Sequence, residues 1–178
     1  MLTWLQIKLF FMALGKMAHL DSRRHGPVMM LLTWFGSGYL RPAPGTWGSL
    51  AALPFALCVH YIWGPLGLIT AAAVLYAAGY IALRLHLPKA EDKDPSYVVI
   101  DEVIGMCLTL VPATIAFWSY VAGFILFRAF DALKPGPVGW ADRHVTGAHG
   151  VLLDDVIAGV FAAVGVGIIQ VLLWFFAV

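Results

Sequence analysis

Long apolar blocks alternate with short polar breaks along this chain, and most of the blocks are of helix length. Residues 1–20 carry apolar stretches interrupted by Lys8, Lys16 and His19, which predicts an amphipathic, mildly basic segment lying on a membrane surface. DSRRHGP at 21–27 is a polar break, so 1–27 is expected to be an N-terminal interfacial segment and 28–178 one membrane-embedded domain. VMMLLTWFGSGYLRPAPGTWGS is too interrupted by Gly and Pro to be a single spanning helix. Apolar helices are expected over about 49–63 and 66–87, joined by a turn at Gly64-Pro65, and PKAEDKDP at 88–95 is a charged loop. Further helices are expected over about 96–114 and 117–134, the latter stopped by Pro135 and Pro137. GPVGWADRHVTGAHG then reads as a polar loop, and a last helix runs from about Val151 to the end. The predicted fold class is all-α: a polytopic membrane bundle of about five membrane helices or half-helices plus the N-terminal segment.

Composition fits that class. Hydrophobic residues make up 61% of the chain and charged ones 12%, with a mean hydropathy of +0.86; a soluble domain has about 25% charged residues. A net charge of +1 gives no argument for a nucleic-acid partner. Cys58 and Cys107 lie within apolar runs and read as small buried hydrophobes. The N-terminus lacks the pattern of a cleavable signal peptide. With the N-terminus inside and the helices alternating, the turns at Gly64-Pro65 and near Ala116 face outward and contain no Lys or Arg. All 11 basic residues then fall on the cytoplasmic side, as the positive-inside rule requires, and the ten acidic ones with them. The outer halves read as Ala, Leu, Val and aromatics, with the seven tryptophans as interfacial anchors and packing residues.

Charge inside the apolar blocks changes the picture most. Asp101 and Glu102 lie in YVVIDEVIGMCLTL, Asp131 in FILFRAFDALK, and Asp154 and Asp155 in GVLLDDVIAGVFAA. A carboxylate in hydrocarbon costs roughly 2.5 kcal/mol or more, so such residues usually serve a site. Neighbouring helical positions differ by about 100°, so Asp101 and Glu102 are expected to face different partners. Their plainer reading is a pair of solvated helix-start acids, but Asp101 lies among Val98, Val99, Ile100, Val103 and Ile104. Asp154 and Asp155 are expected at the start of the last helix, where one could simply cap it. Oxygen-only carboxylate clusters suit Mg²⁺. Arg128, Asp131 and Lys134 are spaced by three and share one helical face, either as a phosphate site or as a structural pair with a snorkelling lysine. GSGYLRPAPGTWGS at 36–49 offers Gly45 and Thr46 leading into a helix, where free N–H groups bind anions, with Arg41 and Ser49 beside them; the alternative is an ordinary re-entrant turn. His144 and His149 read as surface or hydrogen-bonding residues rather than catalysts. Carboxylates and cations at the depth of lipid headgroups point to a phosphate on a lipid head.

The stretches GSGYLRPAPGTWGSLAALP, VIDEVIGM, GFILFRAFDALKPGPVGWADRHVTGAHG and LLDDVIAGV, in that order over about 30–165, resemble the phosphatidylglycerophosphatase A family of bacterial inner-membrane lipid phosphatases. The resemblance implies that 28–178 is a lipid phosphatase domain in a bacterial inner membrane, its site facing the cytoplasm. It implies Mg²⁺-dependent hydrolysis of phosphatidylglycerophosphate to phosphatidylglycerol and phosphate, in glycerophospholipid biosynthesis. The expected catalytic residues are Asp131, Asp101 and Asp155. Asp101, Glu102, Asp154 and Asp155 are the expected metal ligands, and Asp131 would orient a water or complete the site. Arg128, Lys134, Arg143, Arg41, Gly45, Thr46 and Ser49 would hold the phosphate. Direct attack by water is the first choice, with a phospho-enzyme on one aspartate or on Thr46 as the runner-up. The expected partners are the phospholipid substrate and the bilayer. Six Met and many small residues would also permit a homodimer, which the sequence does not decide. A small ion-binding or transport protein, or a phosphatase for another lipid phosphate such as phosphatidic acid, remains the alternative.

Overall fold

The computed structural model describes residues 26–86 and 95–177. The expected interfacial segment, up to residue 25, and the charged loop at 87–94 lie outside the described residues. Within them the regular elements are all helical: α1 (Pro27–Leu32), a single 3-10 turn (Ser37–Tyr39), α2 (Pro44–His86), α3 (Ile100–Thr109), α4 (Phe117–Leu133), α5 (Pro137–His144) and α6 (Gly147–Ala177).

The predicted turn at Gly64 is present as a break within α2. Gly64 has φ 65° and ψ −161°, a conformation open essentially to glycine alone. The chain doubles back there: Gly48 before the break packs on Val99 and Gly79 after it packs on Ile100. The first half starts at Pro44 rather than at about 49, because proline's fixed φ suits a first helical turn and leaves none of its own N–H unpaired. Gly45, Thr46 and Ser49 therefore belong to a helix and not to a loop.

α3 is shorter than the expected 96–114. Val99 does not join it, because its N–H donates to the Leu32 carbonyl at 2.8 Å and ties the segment to the end of α1. At the other end Pro112 disfavours helical backbone at the residue before it. This short helix is the centre of the core, with Ile100, Val103, Ile104, Met106 and Cys107 buried. It crosses α6 at two glycines: a Cβ on Gly159 would sit 2.6 Å from the Gly105 carbonyl oxygen and 2.9 Å from its Cα. Small residues permit that backbone approach.

α4 ends where expected, with Lys134 left-handed at φ 45°, ψ 53° and Pro135 after it. The polar loop beyond it is corrected. Pro137 opens a further helix, α5, which buries Val138, Gly139 and Ala141. α6 starts at Gly147, not at about Val151, so Asp154 and Asp155 stand two turns inside it and cannot cap it. α2 and α6 are long and apolar enough to cross a membrane. The far end of the bundle differs from its expected composition. Thr114, Ser119 and Gln170 hydrogen-bond to one another over 2.7–3.2 Å, and His60 bonds the Tyr120 hydroxyl at 3.0 Å. None of these groups is an acid, a lysine or an arginine, and Trp63 and Trp118 are exposed at that end.

Candidate active site

The start of α3 and the third turn of α6 meet at the Gly105–Gly159 crossing, which brings three carboxylates together. One oxygen each from Asp101, Glu102 and Asp155 lies within 4.8 Å of the others. Asp101 and Asp155 are 5% and 4% exposed. The expectation that Asp101 and Glu102 face different partners is thus corrected. Asp101 Oδ1 accepts the Glu102 N–H at 3.1 Å, which folds the aspartate back over the helix start while the longer glutamate stem swings to the same side. Glu102 Oε2 is buried without a hydrogen-bond partner among the described residues. Converging buried carboxylates repel one another, and a buried oxygen with nothing to accept from is costly. A hard divalent cation bound through oxygen would satisfy both conditions.

Positive groups ring this cluster. A Cβ on Gly45 would overlap Glu102 Oε1 and lie 3.2 Å from Arg128 Nη1. The first turn of α2, whose N–H groups have no partner within the helix, therefore packs directly against Glu102 and Arg128. Arg128 Nη1 is 2.5 Å from Asp131 Oδ2, and Asp131 lies near enough to Asp155 for their charges to repel. Lys134, at the end of α4, donates to Asp142 Oδ1 at 2.5 Å and to Asp154 Oδ2 at 2.9 Å. Burial works against its charge, but these two carboxylates outweigh burial and hold its pKa above the usual lysine value.

The residues singled out from sequence divide accordingly. Asp101, Glu102 and Asp155 converge, with Asp131, Arg128 and Gly45 around them, and Thr46 follows Gly45 in the first turn of α2. Asp154 turns to Lys134 instead, since adjacent helical positions point about 100° apart. Ser49 is fully buried and its hydroxyl donates to the Gly45 carbonyl at 2.8 Å, so it is not directed at a phosphate. Arg41 and Arg143 are exposed, the first ahead of α2 and the second on α5. His149 bonds the Tyr76 hydroxyl at 2.8 Å and stacks over Tyr80, and His144 bonds the Trp140 carbonyl, as hydrogen-bonding histidines. Asp142 was missed by sequence reasoning. It reaches Lys134 from α5, and only a helix there would have revealed that proximity.

A helical protein that brings a carboxylate cluster, an arginine and a helix start to one point has the kinds of group that phosphate chemistry uses. A family model described as Phosphatidylglycerophosphatase A matches residues 30–170. The chain belongs to the phosphatidylglycerophosphatase A family and is a phosphatase. It is 38% identical over 142 residues to the Phosphatidylglycerophosphatase A of Escherichia coli (strain K12), covering 77% of this chain and 80% of the relative. It is 32% identical over 145 residues to the protein of the same name from Haemophilus influenzae, covering 81% and 89%. A Bacteroides thetaiotaomicron protein provisionally named a phosphatidylinositol-3-phosphatase is 35% identical over 140 residues, covering 75% and 87%. No solved structure matches the chain.

Proposed function

We propose that this protein removes the terminal phosphate of phosphatidylglycerophosphate, giving phosphatidylglycerol and inorganic phosphate in glycerophospholipid biosynthesis. The single observation that supports the chemistry best is the convergence of Asp101, Glu102 and Asp155, with an unpartnered Glu102 oxygen, beside Arg128 and the start of α2. The substrate rests on the names of the Escherichia coli and Haemophilus influenzae relatives.

Asp101, Glu102 and Asp155 would hold Mg²⁺, whose hard oxygen preference fits this donor set. When bound, the ion supplies positive charge beside the phosphoryl oxygens and lowers the pKa of a bound water. Arg128 and the N–H groups of Gly45 and Thr46 bind the phosphate, and Lys134 adds a second cation. Asp131, held by Arg128, orients the attacking water. The water oxygen bonds to phosphorus as the bond from phosphorus to the ester oxygen breaks; one water proton ends on that oxygen, giving the hydroxyl of phosphatidylglycerol, and the other leaves with the inorganic phosphate. The protein is proposed to be a multi-pass protein of a bacterial inner membrane. Its N-terminus and site face the cytoplasm, following the distribution of Lys and Arg.

The test is phosphate release by detergent-purified protein from phosphatidylglycerophosphate, phosphatidic acid and phosphatidylinositol 3-phosphate in parallel. The third substrate is included because of the name of the Bacteroides relative. Release from phosphatidylglycerophosphate at least about tenfold faster than from the others, about 1.4 kcal/mol of discrimination, is the expected result. Preference for either of the others would overturn the substrate assignment.

A further inference from the structure

Lys134 is gripped by α5, a helix in a stretch whose Pro and Gly predict a loop. Its ammonium donates to Asp142 on α5 at 2.5 Å and to Asp154 on α6 at 2.9 Å. Its backbone is fixed as well. Lys134 is left-handed, Pro135 follows it, and its carbonyl lies so close to Gly139 that a Cβ there would overlap it. α5 thus contacts both the main chain and the charged end of one lysine. Asp154, the second partner, precedes Asp155 of the carboxylate cluster.

The pair between Lys134 and Asp142 is partly open to solvent, with side-chain exposures of 35% and 44%. Such a pair adds little to folding stability. Its effect is on where the ammonium sits, because a free lysine stem explores many rotamers. We propose that Asp142 is a positioning residue for the phosphate site, keeping the Lys134 ammonium beside Asp154 and ready for the incoming phosphate. This rests on Lys134 binding the terminal phosphate. Asp142 pairs with Lys134 and acts through the lysine.

The test compares Asp142→Asn, Asp142→Glu, Lys134→Ala and the Lys134→Ala, Asp142→Asn double variant on phosphatidylglycerophosphate in micelles. Asp142→Asn is expected to raise KM about three- to fivefold, the range set by a partly exposed charge pair, with kcat within about twofold. Asp142→Glu should return most of the lost KM. On the Lys134→Ala background the asparagine should add nothing, because the pair is already broken. An unchanged KM in Asp142→Asn, a fall in kcat alone, or full additivity with Lys134→Ala overturns the proposal. A second readout needs no turnover: the rate at which an amine-acylating reagent modifies Lys134, followed by peptide mass spectrometry. It should rise about threefold in Asp142→Asn, and an unchanged rate overturns the clamp. If the wild-type protein releases no phosphate from the lipid, the proposed substrate fails, while the acylation rates still decide whether Asp142 holds Lys134.

Discussion

Replacing Gly45 by alanine separates the site from the fold. The added methyl would overlap Glu102 Oε1 and come within 3.2 Å of Arg128 Nη1 and 3.4 Å of Nη2. Both neighbours are ends of long side chains rather than backbone, so they can move, and the helix need not. Displacing a positioned group by about 1 Å lowers catalysis on the order of 100-fold. The backbone effect has the opposite sign. Gly45 lies in the first turn of α2 without a positive φ, where Gly→Ala typically adds about 0.4–1 kcal/mol of stability. For a chain of this size 1 kcal/mol corresponds to a midpoint shift of roughly 2–4 °C. Gly45→Ala should therefore lose about 99% of kcat/KM while its thermal midpoint in detergent stays level or rises. Phosphate release and a thermal melt on the same preparation give both numbers. Wild-type kcat/KM would refute the packing argument. Lost activity with a lowered midpoint would refute the claim that this glycine serves the site. Gly48→Ala is the contrasting control, since its methyl would press to 2.5 Å on Val99 Cβ in the core and should destabilise the protein.

Three further outcomes follow from the same geometry. Glu102→Gln keeps the shape but removes a charge from the buried carboxylate cluster; turnover should fall at least about 100-fold, while stability in EDTA rises by about 1 kcal/mol or more, measured by thermal melting. Gly159→Ala forces α3 and α6 apart at a 2.6 Å approach and should destabilise by about 1–3 kcal/mol in a denaturation series; an unchanged midpoint would contradict the crossing. Gly64→Ala places a side chain at φ 65°, ψ −161°, and should destabilise by about 1–3 kcal/mol without changing KM in the protein that remains folded.

The turn at Gly64-Pro65 and the stop after Lys134 were legible because glycine and proline act locally, through allowed backbone angles. The carboxylates were legible because charge in an apolar run is expensive. What was not legible depended on contacts between distant segments. Val99 leaves α3 to bond Leu32, so the helix starts at Ile100 and Asp101 and Glu102 become first-turn residues that can share a side. The late start assigned to α6 made Asp154 and Asp155 look equivalent, yet one faces Lys134 and the other the cluster. Pro and Gly in GPVGWADRH read as loop, and that concealed α5 and with it Asp142. Ser49 looked available only while its segment was read as a loop, since in a helix its hydroxyl finds the carbonyl four residues back.

The central claim is that Asp101, Glu102 and Asp155 form a divalent-cation site that drives phosphate release, with Asp154 outside it. The most direct test is a Mg²⁺ titration of phosphate release from phosphatidylglycerophosphate by wild type, Asp154→Asn and Asp155→Asn, each starting from EDTA-treated protein. Asp155→Asn should stay at background at every Mg²⁺ concentration, while Asp154→Asn keeps the wild-type Mg²⁺ midpoint and shows a raised KM for the lipid. Release that persists in EDTA, or a Mg²⁺ midpoint shifted by Asp154→Asn but not by Asp155→Asn, would contradict the account.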